Sequence, residues 1–316
     1  MKNINKAGIL ALLIALSVLM GPVSAVNIYQ GDNNTVIQEK INNASVGENV
    51  TFESGPLNYT GINLTVNKAL NLQGNGAILV GGGSSIFTIT GTNGVTIRDF
   101  IININNNTAD GITGSNVYNC NITNNTIMNG DDGINIFMHY GGLIIANNTI
   151  TDMNNGRDGI SLVNHNTTID MDTYAPTLIE GNTIDDVQYG IFLGGNFKGT
   201  ITGNSISATV AGMNITGKRA ATNGILNATI CNNTINRGIA VEVPNISFLE
   251  LCYNIITGVV DDTEYSILTN DVFATGDILG DIIVNFNYLG YNATDDFKGV
   301  TSEAHNNTGP GAYSVP

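Results

Sequence analysis

The chain has 316 residues, with 11 Lys+Arg against 26 Asp+Glu and a formal net charge of -15. Hydrophobic residues make up 42% and charged residues 12%, which excludes a disordered acidic tail. The acidic balance excludes a nucleic-acid partner, because nothing would neutralise a phosphate backbone. Polarity comes instead from 48 Asn beside 38 Gly, interleaved with Ile and Val, a composition of many short strands and turns.

Lys2 and Lys6 precede an apolar run from Ile9 to Met20, followed by Gly21-Pro22 and Val23-Ser24-Ala25. A basic start, an apolar centre and small residues at the cut read as a secretory signal over 1-25, cleaved after Ala25. The run is short of the roughly 20 apolar residues of a membrane span, although an uncleaved anchor is the alternative. No membrane span is expected in the mature chain, 26-316. Without the two lysines its charge moves from -15 to -17. Sixteen Asn-X-Ser/Thr sequons run from Asn33 to Asn306. They mark glycan acceptors in an exported protein, although a chain this rich in Asn and Thr also makes them by chance.

Thr35-Val36-Ile37-Gln38 opens a short helix with Val36, Ile37, Ile41 and Ala44 on one side, and Thr35 and Gln38 stand at capping-box spacing. This helix, within an N-terminal cap over 26-47, is expected to cover the first rung of a stack of strands. Strands are expected from Asn49 to Phe52 and from Ile62 to Val66. A C-terminal cap and tail is expected over 285-316.

The rest is one repeat read many times. The word Asn/Gly-Asn-Thr/Ser-Ile places its second Asn at 125, 148, 182, 204 and 233, with weaker copies at 254 and 287. An apolar residue stands three positions before each. A second word, Gly-Ile-X-apolar, runs in phase from Gly133, Gly159, Gly190 and Gly212. Two words alternating around one period give two strands per unit, with room for a third, shorter one. A unit of about 22 residues can become compact only as a coil stacked on the next coil, each strand pairing in parallel with its copy. The fold class is therefore all-β, a parallel β-helix (solenoid) with a short N-terminal capping helix. The repeated Asn is expected at a turn, donating to the Asn one rung on as an asparagine ladder. Phe100 takes that position in the rung of Ile97-Arg98-Asp99, where the Asn stack is expected to end.

The small helix, the strand after it, and the segments Gly61-Ile62-Asn63-Leu64-Thr65-Val66 and Leu70-Asn71-Leu72-Gln73-Gly74 resemble the opening of right-handed, pectin-lyase-like parallel β-helix proteins. With the Asn-Asn-Thr-Ile rungs, the signal and Asn-Tyr-Leu-Gly-Tyr-Asn at 287-292, the chain resembles the adhesin-like surface proteins of methanogenic archaea. That resemblance implies a right-handed coil and a secreted or cell-surface location.

Asp110, Asp132 and Asp158 each precede a Gly-Ile and hold one register on three successive rungs, with Asp131 as a fourth acid. Adjacent carboxylates one strand spacing apart, near 5 Å, overlap the separations used in glycoside hydrolysis. Asn107-Thr108-Ala109-Asp110 and Gly130-Asp131-Asp132 are similar to the acidic motifs of polygalacturonase-type enzymes. The Gly-His-Gly and Arg-X-Lys that such enzymes need are absent. Three readings of the aspartates stay open: turn residues bonding local backbone beside glycines at positive φ, a calcium site on Asp110, Asp132 and Asp158, or a hydrolytic set. Outward neighbours expected beside them are Asn135, Phe137, Tyr140, Ser161 and Phe192. His139 and His165 share a register, as solvated or stacked histidines or as zinc ligands lacking a third partner. Cys231 and Cys252 fall on adjacent rungs and are candidates for a disulfide, although in-register neighbours sit slightly far apart for easy closure; Cys120 reads as core. Longer repeat steps place loops at 164-176 and 217-222, the second with Lys218 and Arg219. The leading reading is a surface protein that binds carbohydrate or neighbouring surface proteins. The rival is a polysaccharide hydrolase or lyase using the aspartates, and a third is a structural component of a surface layer. The cofactor that the stacked aspartates offer to hold is calcium.

Overall fold

The computed structural model describes residues 25–55, 58–153, 157–164, 171–216, 225–242 and 245–258, and short stretches at 267–269, 281–285, 287–289, 297–298 and 303–305. Within them the chain winds into a solenoid with three faces of parallel strands. The first face has twelve strands, from Ala25–Ile28 to Glu303–His305. The second includes Ile101–Asn103, Thr126–Met128 and Thr149–Thr151. The third includes Phe87–Thr90, Ile112–Ser115, Ile134–Phe137 and Asp158–Asn164. Like superimposes on like: Ile122 on Ile145, Ile127 on Ile150 and Ile134 on Ile160. The asparagine word supplies the turn between first and second faces and the second-face strand. The Gly-Ile word supplies the third-face strand. The shorter strand expected in the remainder is the first-face strand around Ile122. In Thr183–Gly195 and Ser205–Thr216 the second and third faces run together as one long strand.

Inward Ile, Leu and Val residues from every face form one continuous buried stack, and its burial drives a coil of short strands to close. At its N-terminal end the stack is aromatic. Phe100 meets Phe52 edge-to-face at 5.0 Å and Phe87 at 5.2 Å. The helix Asn34–Asn43 lies over this end, burying Ile37 and Ile41. Its cap differs from the expected Thr35–Gln38 box. Asn33 accepts the Val36 N–H at 3.1 Å, so the cap stands two residues before Thr35 and the helix begins at Asn34. Gln38 instead accepts from Thr65 N at 2.7 Å and donates to Thr65 O at 3.0 Å. It thereby pairs the backbone of a strand that would otherwise present an open edge.

The seven asparagines of the first word are buried and bonded in series. The Asn125 N–H and Nδ2 both donate to Asn148 Oδ1, at 3.0 and 3.1 Å, and Asn125 Nδ2 also donates to Ile97 O at 3.0 Å. The same pattern repeats through Asn182, Asn204, Asn233, Asn254 and Asn287. The apolar residue three positions before each Asn supplies the carbonyl that the next rung's amide reaches. At the N-terminal end Phe100 N donates to Asn125 Oδ1 at 3.1 Å, and its ring, which has no amide, turns to the aromatic cluster. Among the described residues no helix is long and apolar enough to cross a membrane. The described strands beyond 285 continue the three faces. The signal segment up to residue 24, most of 285-316, and Lys218 and Arg219 lie outside the described residues.

Candidate functional site

The third face carries the acid column. Asp110, Asp132 and Asp158 each stand two residues before isoleucines that pair in register. The carboxylates of Asp110 and Asp132 are each used by the next rung: Asp132 N donates to Asp110 Oδ1 at 3.3 Å and Asp158 N donates to Asp132 Oδ1 at 3.0 Å. Ser85 begins the series, its hydroxyl accepting from Asp110 N at 3.3 Å. The expected backbone role is thus present, but it runs between rungs. Asp110 Oδ2 also accepts from Asn135 Nδ2 at 3.2 Å, and Asp131 pairs with Arg157 at 3.3 Å.

The glycines beside these acids correct the expectation of positive φ. None of Gly111, Gly133 and Gly159 lies in the left-handed region. What they lack is room. A Cβ on Gly133 would stand 2.5 Å from Ile150 Cγ2 and 2.6 Å from Gly159 O. The isoleucine of the asparagine word therefore sits in a notch that the glycine of the other word leaves open.

Burial decides the electrostatics. Asp132 is only 3% exposed. Burial first, and then the neighbouring carboxylate of Asp158, push its pKa up to about 8, against the lowering effect of the Asp158 N–H. Burial likewise raises Asp110, opposed by its hydrogen bonds from Asp132 N and Asn135. At neutral pH Asp132 holds its proton, so the column does not carry its full formal charge.

Beside the column lies a cleft of about 580 Å³. Asp132, Asp158 and Arg157 form one wall. Asn135, Ser161 and Phe192 follow one another in register along the floor, and Phe137 with Val163 forms the next file outward. Tyr189, in register with Asp158, closes one end with its ring 6.2 Å from that of Phe192. Phe137 is 46% exposed. Gln188, Tyr189 and Val163 also line the cleft; they come from strand stretches outside the repeated words, which carry no signal for them.

Not every expected neighbour is here. His139 is fully buried, its ring 6.4 Å from that of Phe197, and burial lowers its pKa to about 4. Neither ring nitrogen has a partner among the described residues. His165, its equivalent one rung on, lies outside the described residues. Tyr140 belongs to a separate cluster. It stacks on Tyr174 at 5.8 Å, stands 6.3 Å from Tyr118, and donates its hydroxyl proton to Asn116 Oδ1 at 2.8 Å.

Cys231 and Cys252 are in register and joined by a disulfide with Cα atoms 4.6 Å apart. That is close to the ordinary strand spacing of about 4.8 Å, which lies within the disulfide range of about 4.4–6.8 Å, so in-register neighbours are not too far apart for closure. Glu250 lies beside the pair. Cys120 is buried. A calcium ion at the aspartates would meet one oxygen of Asp110 and one of Asp132 already accepting backbone N–H groups, and would compete with a proton on Asp132.

Comparison with known proteins agrees with this architecture. The family model described as a right handed beta helix region matches residues 57–235. A cell surface glycoprotein of Methanothermus fervidus is 36% identical over 144 residues, which are 45% of this chain and 23% of that protein; the chain thus spans about a quarter of that relative. The surface adhesin PfbA of Streptococcus pneumoniae superimposes with a TM-score of 0.61 at 14% identity, over 87% of this chain and 80% of its own. An alginate lyase from Paenibacillus sp. str. FPU-7 does so with 0.54 at 12% identity, over 92% and 96%. At these identities the two structures speak for the fold alone. Since the family model covers more than half of the residues, and the parallel three-faced coil agrees with it, the chain belongs to the right-handed β-helix family.

Proposed function

We propose that this is an exported cell-surface β-helix protein whose third-face cleft binds carbohydrate. The observation that carries the reading is the lining of that cleft. The exposed ring of Phe137 and the half-buried ring of Tyr189 stand beside the amide of Asn135 and the carboxylate of Asp158, over a floor in which Ser161 and Phe192 are nearly covered. Sugar rings present both apolar faces and hydroxyl edges, and a cleft that mixes flat apolar surface with a few fixed polar groups matches both. The signal-like N-terminus and the similarity to a cell surface glycoprotein support the location. Neighbouring surface proteins bearing glycans are the partners this cleft fits. The test is a glycan array followed by calorimetry. Binding of a defined oligosaccharide, weakened about tenfold or more by Phe137→Ala, supports the reading. An array without signal overturns it.

A second reading has its own observation. A carboxyl held protonated up to about pH 8 beside another carboxylate is the arrangement of a general acid. In this reading Asp132 protonates a glycosidic oxygen while Asp158 or Asp110 supplies the base. Release of reducing ends from a polysaccharide panel, abolished in Asp132→Asn, would favour hydrolysis over binding alone. Calcium at the same acids is tested in parallel, by whether calcium raises the melting temperature of the native protein and not that of Asp158→Asn.

A further inference from the structure

The asparagine word holds two asparagines with opposite duties. In Asn124-Asn125-Thr126, Asn147-Asn148-Thr149 and Asn232-Asn233-Thr234 the second Asn is buried in the stack, while the first is exposed at the corner between first and second faces. Those first asparagines adopt φ of 57°, 56° and 61°, the left-handed region that asparagine tolerates in single residues, and the Asn147 side chain leans along the corner toward Gly181 of the next rung. Each begins a sequon. Their backbone N–H groups donate to the next rung, to Ala146 O, Glu180 O and Cys252 O, whereas no hydrogen bond engages the side-chain amides of Asn124, Asn147 or Asn232 among the described residues. Asn106, the first residue of another sequon, differs. Its Nδ2 donates to Gly83 O at 2.8 Å and its Oδ1 accepts from Thr108 N at 3.1 Å. Asn121 and Asn214, also in sequons, are half-buried within strands, flanked by the rungs above and below.

We infer that Asn124, Asn147 and Asn232 are asparagine-linked glycosylation sites, forming a file of glycans along one corner of the solenoid. In the transfer, Nδ2 forms a bond to the anomeric carbon of a phosphate-activated oligosaccharide. The sugar–phosphate bond breaks, the phosphate leaves with the bonding pair, and Nδ2 gives up one proton. The corner explains how a repeat so dense in sequons can accept glycans without losing its interior. The modified amide is exposed at the corner, and the buried stack is built from the neighbouring residue. The cleft lies on the third face, away from this corner, and stays open. The inference rests on the export reading, because only an exported chain meets the transferase.

The two can fail separately in one experiment. The full mature chain is secreted behind a heterologous leader from a yeast host with asparagine-linked glycosylation, and glycopeptides are mapped by mass spectrometry. Export by the native leader is scored apart, as protein in the medium. Occupancy at Asn124, Asn147 and Asn232 several-fold above that at Asn106, Asn121 and Asn214 is expected. Equal occupancy at Asn106, or bare asparagines at the three corner positions, overturns the inference. A control variant keeps the fold in view. In two other rungs the same corner position is Gly181 or Gly203, at φ of 64° and 65°, so Asn124→Gly, Asn147→Gly and Asn232→Gly reproduce a native turn. The triple variant should fold with unchanged circular dichroism and lose the three glycan masses.

Discussion

A single buried asparagine in the stack serves four hydrogen bonds. Asn182 donates to Ile145 O and to Asn204 Oδ1, both at 2.9 Å, and accepts from Asn148 N and Nδ2, both at 3.0 Å. Leucine has the same branched skeleton of side-chain heavy atoms, is bulkier, and has none of these groups. Since each buried polar group left unpaired costs about 1–3 kcal/mol, Asn182→Leu should lower stability by about 3 kcal/mol or more, read as a shift in the urea midpoint with unchanged slope. Two titrating residues set opposite pH trends. Asp132 releases its proton near 3.8 when unfolded and near 8 when folded. The folded chain binds the extra proton between those values, so stability falls as pH rises through that window. Asp132→Asn keeps the oxygen that accepts from Asp158 N. It should match the native protein near pH 4 and exceed it by a few kcal/mol above pH 8, at about 1.4 kcal/mol per pKa unit. His139 acts in reverse. Folded, it stays neutral down to about 4, whereas the unfolded residue takes a proton near 6.5. Stability is lost as pH falls from 6.5 to 4, and His139→Leu should remove up to about 3 kcal/mol of that loss. Melting temperatures across pH 4 to 9 for the two variants check both. The asparagines were legible in the sequence because a strict repeat fixes side-chain direction. His139 and Tyr140 were not, because Met138 at φ 58° breaks the alternation that had carried Asn135 and Phe137 outward.

At the level of the strand, the two repeated words are halves of one packing contact. Gly111, Gly133, Gly159, Gly190 and Gly212 each face the Cγ2 methyl of an isoleucine from the other word: Ile127, Ile150, Ile184, Ile206 and Ile235. A methyl added at Gly133 would meet both that side chain and the backbone oxygen of Gly159, which cannot move without shifting the next rung. Overpacking of this kind costs about 1–3 kcal/mol. Gly133→Ala should lose at least that much by thermal melting, whereas Gly47→Ala, with nothing within 4 Å, should show only the strain of its φ of 82°. The pairing of the words in register was readable from their spacing. The reason for the glycine was not, because a sequence displays the period of two strands and not the depth at which one packs on the other. The same limit applies to the cleft. Asn135, Ser161 and Phe192 come from the register, whereas Gln188 and Tyr189 enter through the long strand Thr183–Gly195, whose register shifts around Val187.

For the whole molecule, stability in a stack of coils is a sum of neighbouring contacts, so different rungs can yield at different points. The N-terminal end is closed by the helix Asn34–Asn43 and by the edge-to-face rings of Phe52, Phe87 and Phe100. Toward the other end the described rungs are tied by the bond between Cys231 and Cys252 and, beside it, by the Asn233–Asn254 pair. The disulfide closes a separation of 21 residues, a constraint on the unfolded chain of about 3 kcal/mol. That constraint falls on the rungs around 225–258, and the N-terminal rungs gain little from it. Reduction by a dithiol should therefore raise amide exchange at Thr229 to Ile256 about tenfold or more, while Leu72, Ile97 and Ile122 keep their protection. The melting curve should broaden or split, with its upper part unmoved. If reduction shifted the whole curve together, the solenoid would be one cooperative unit and the local account of its stability would have to be abandoned.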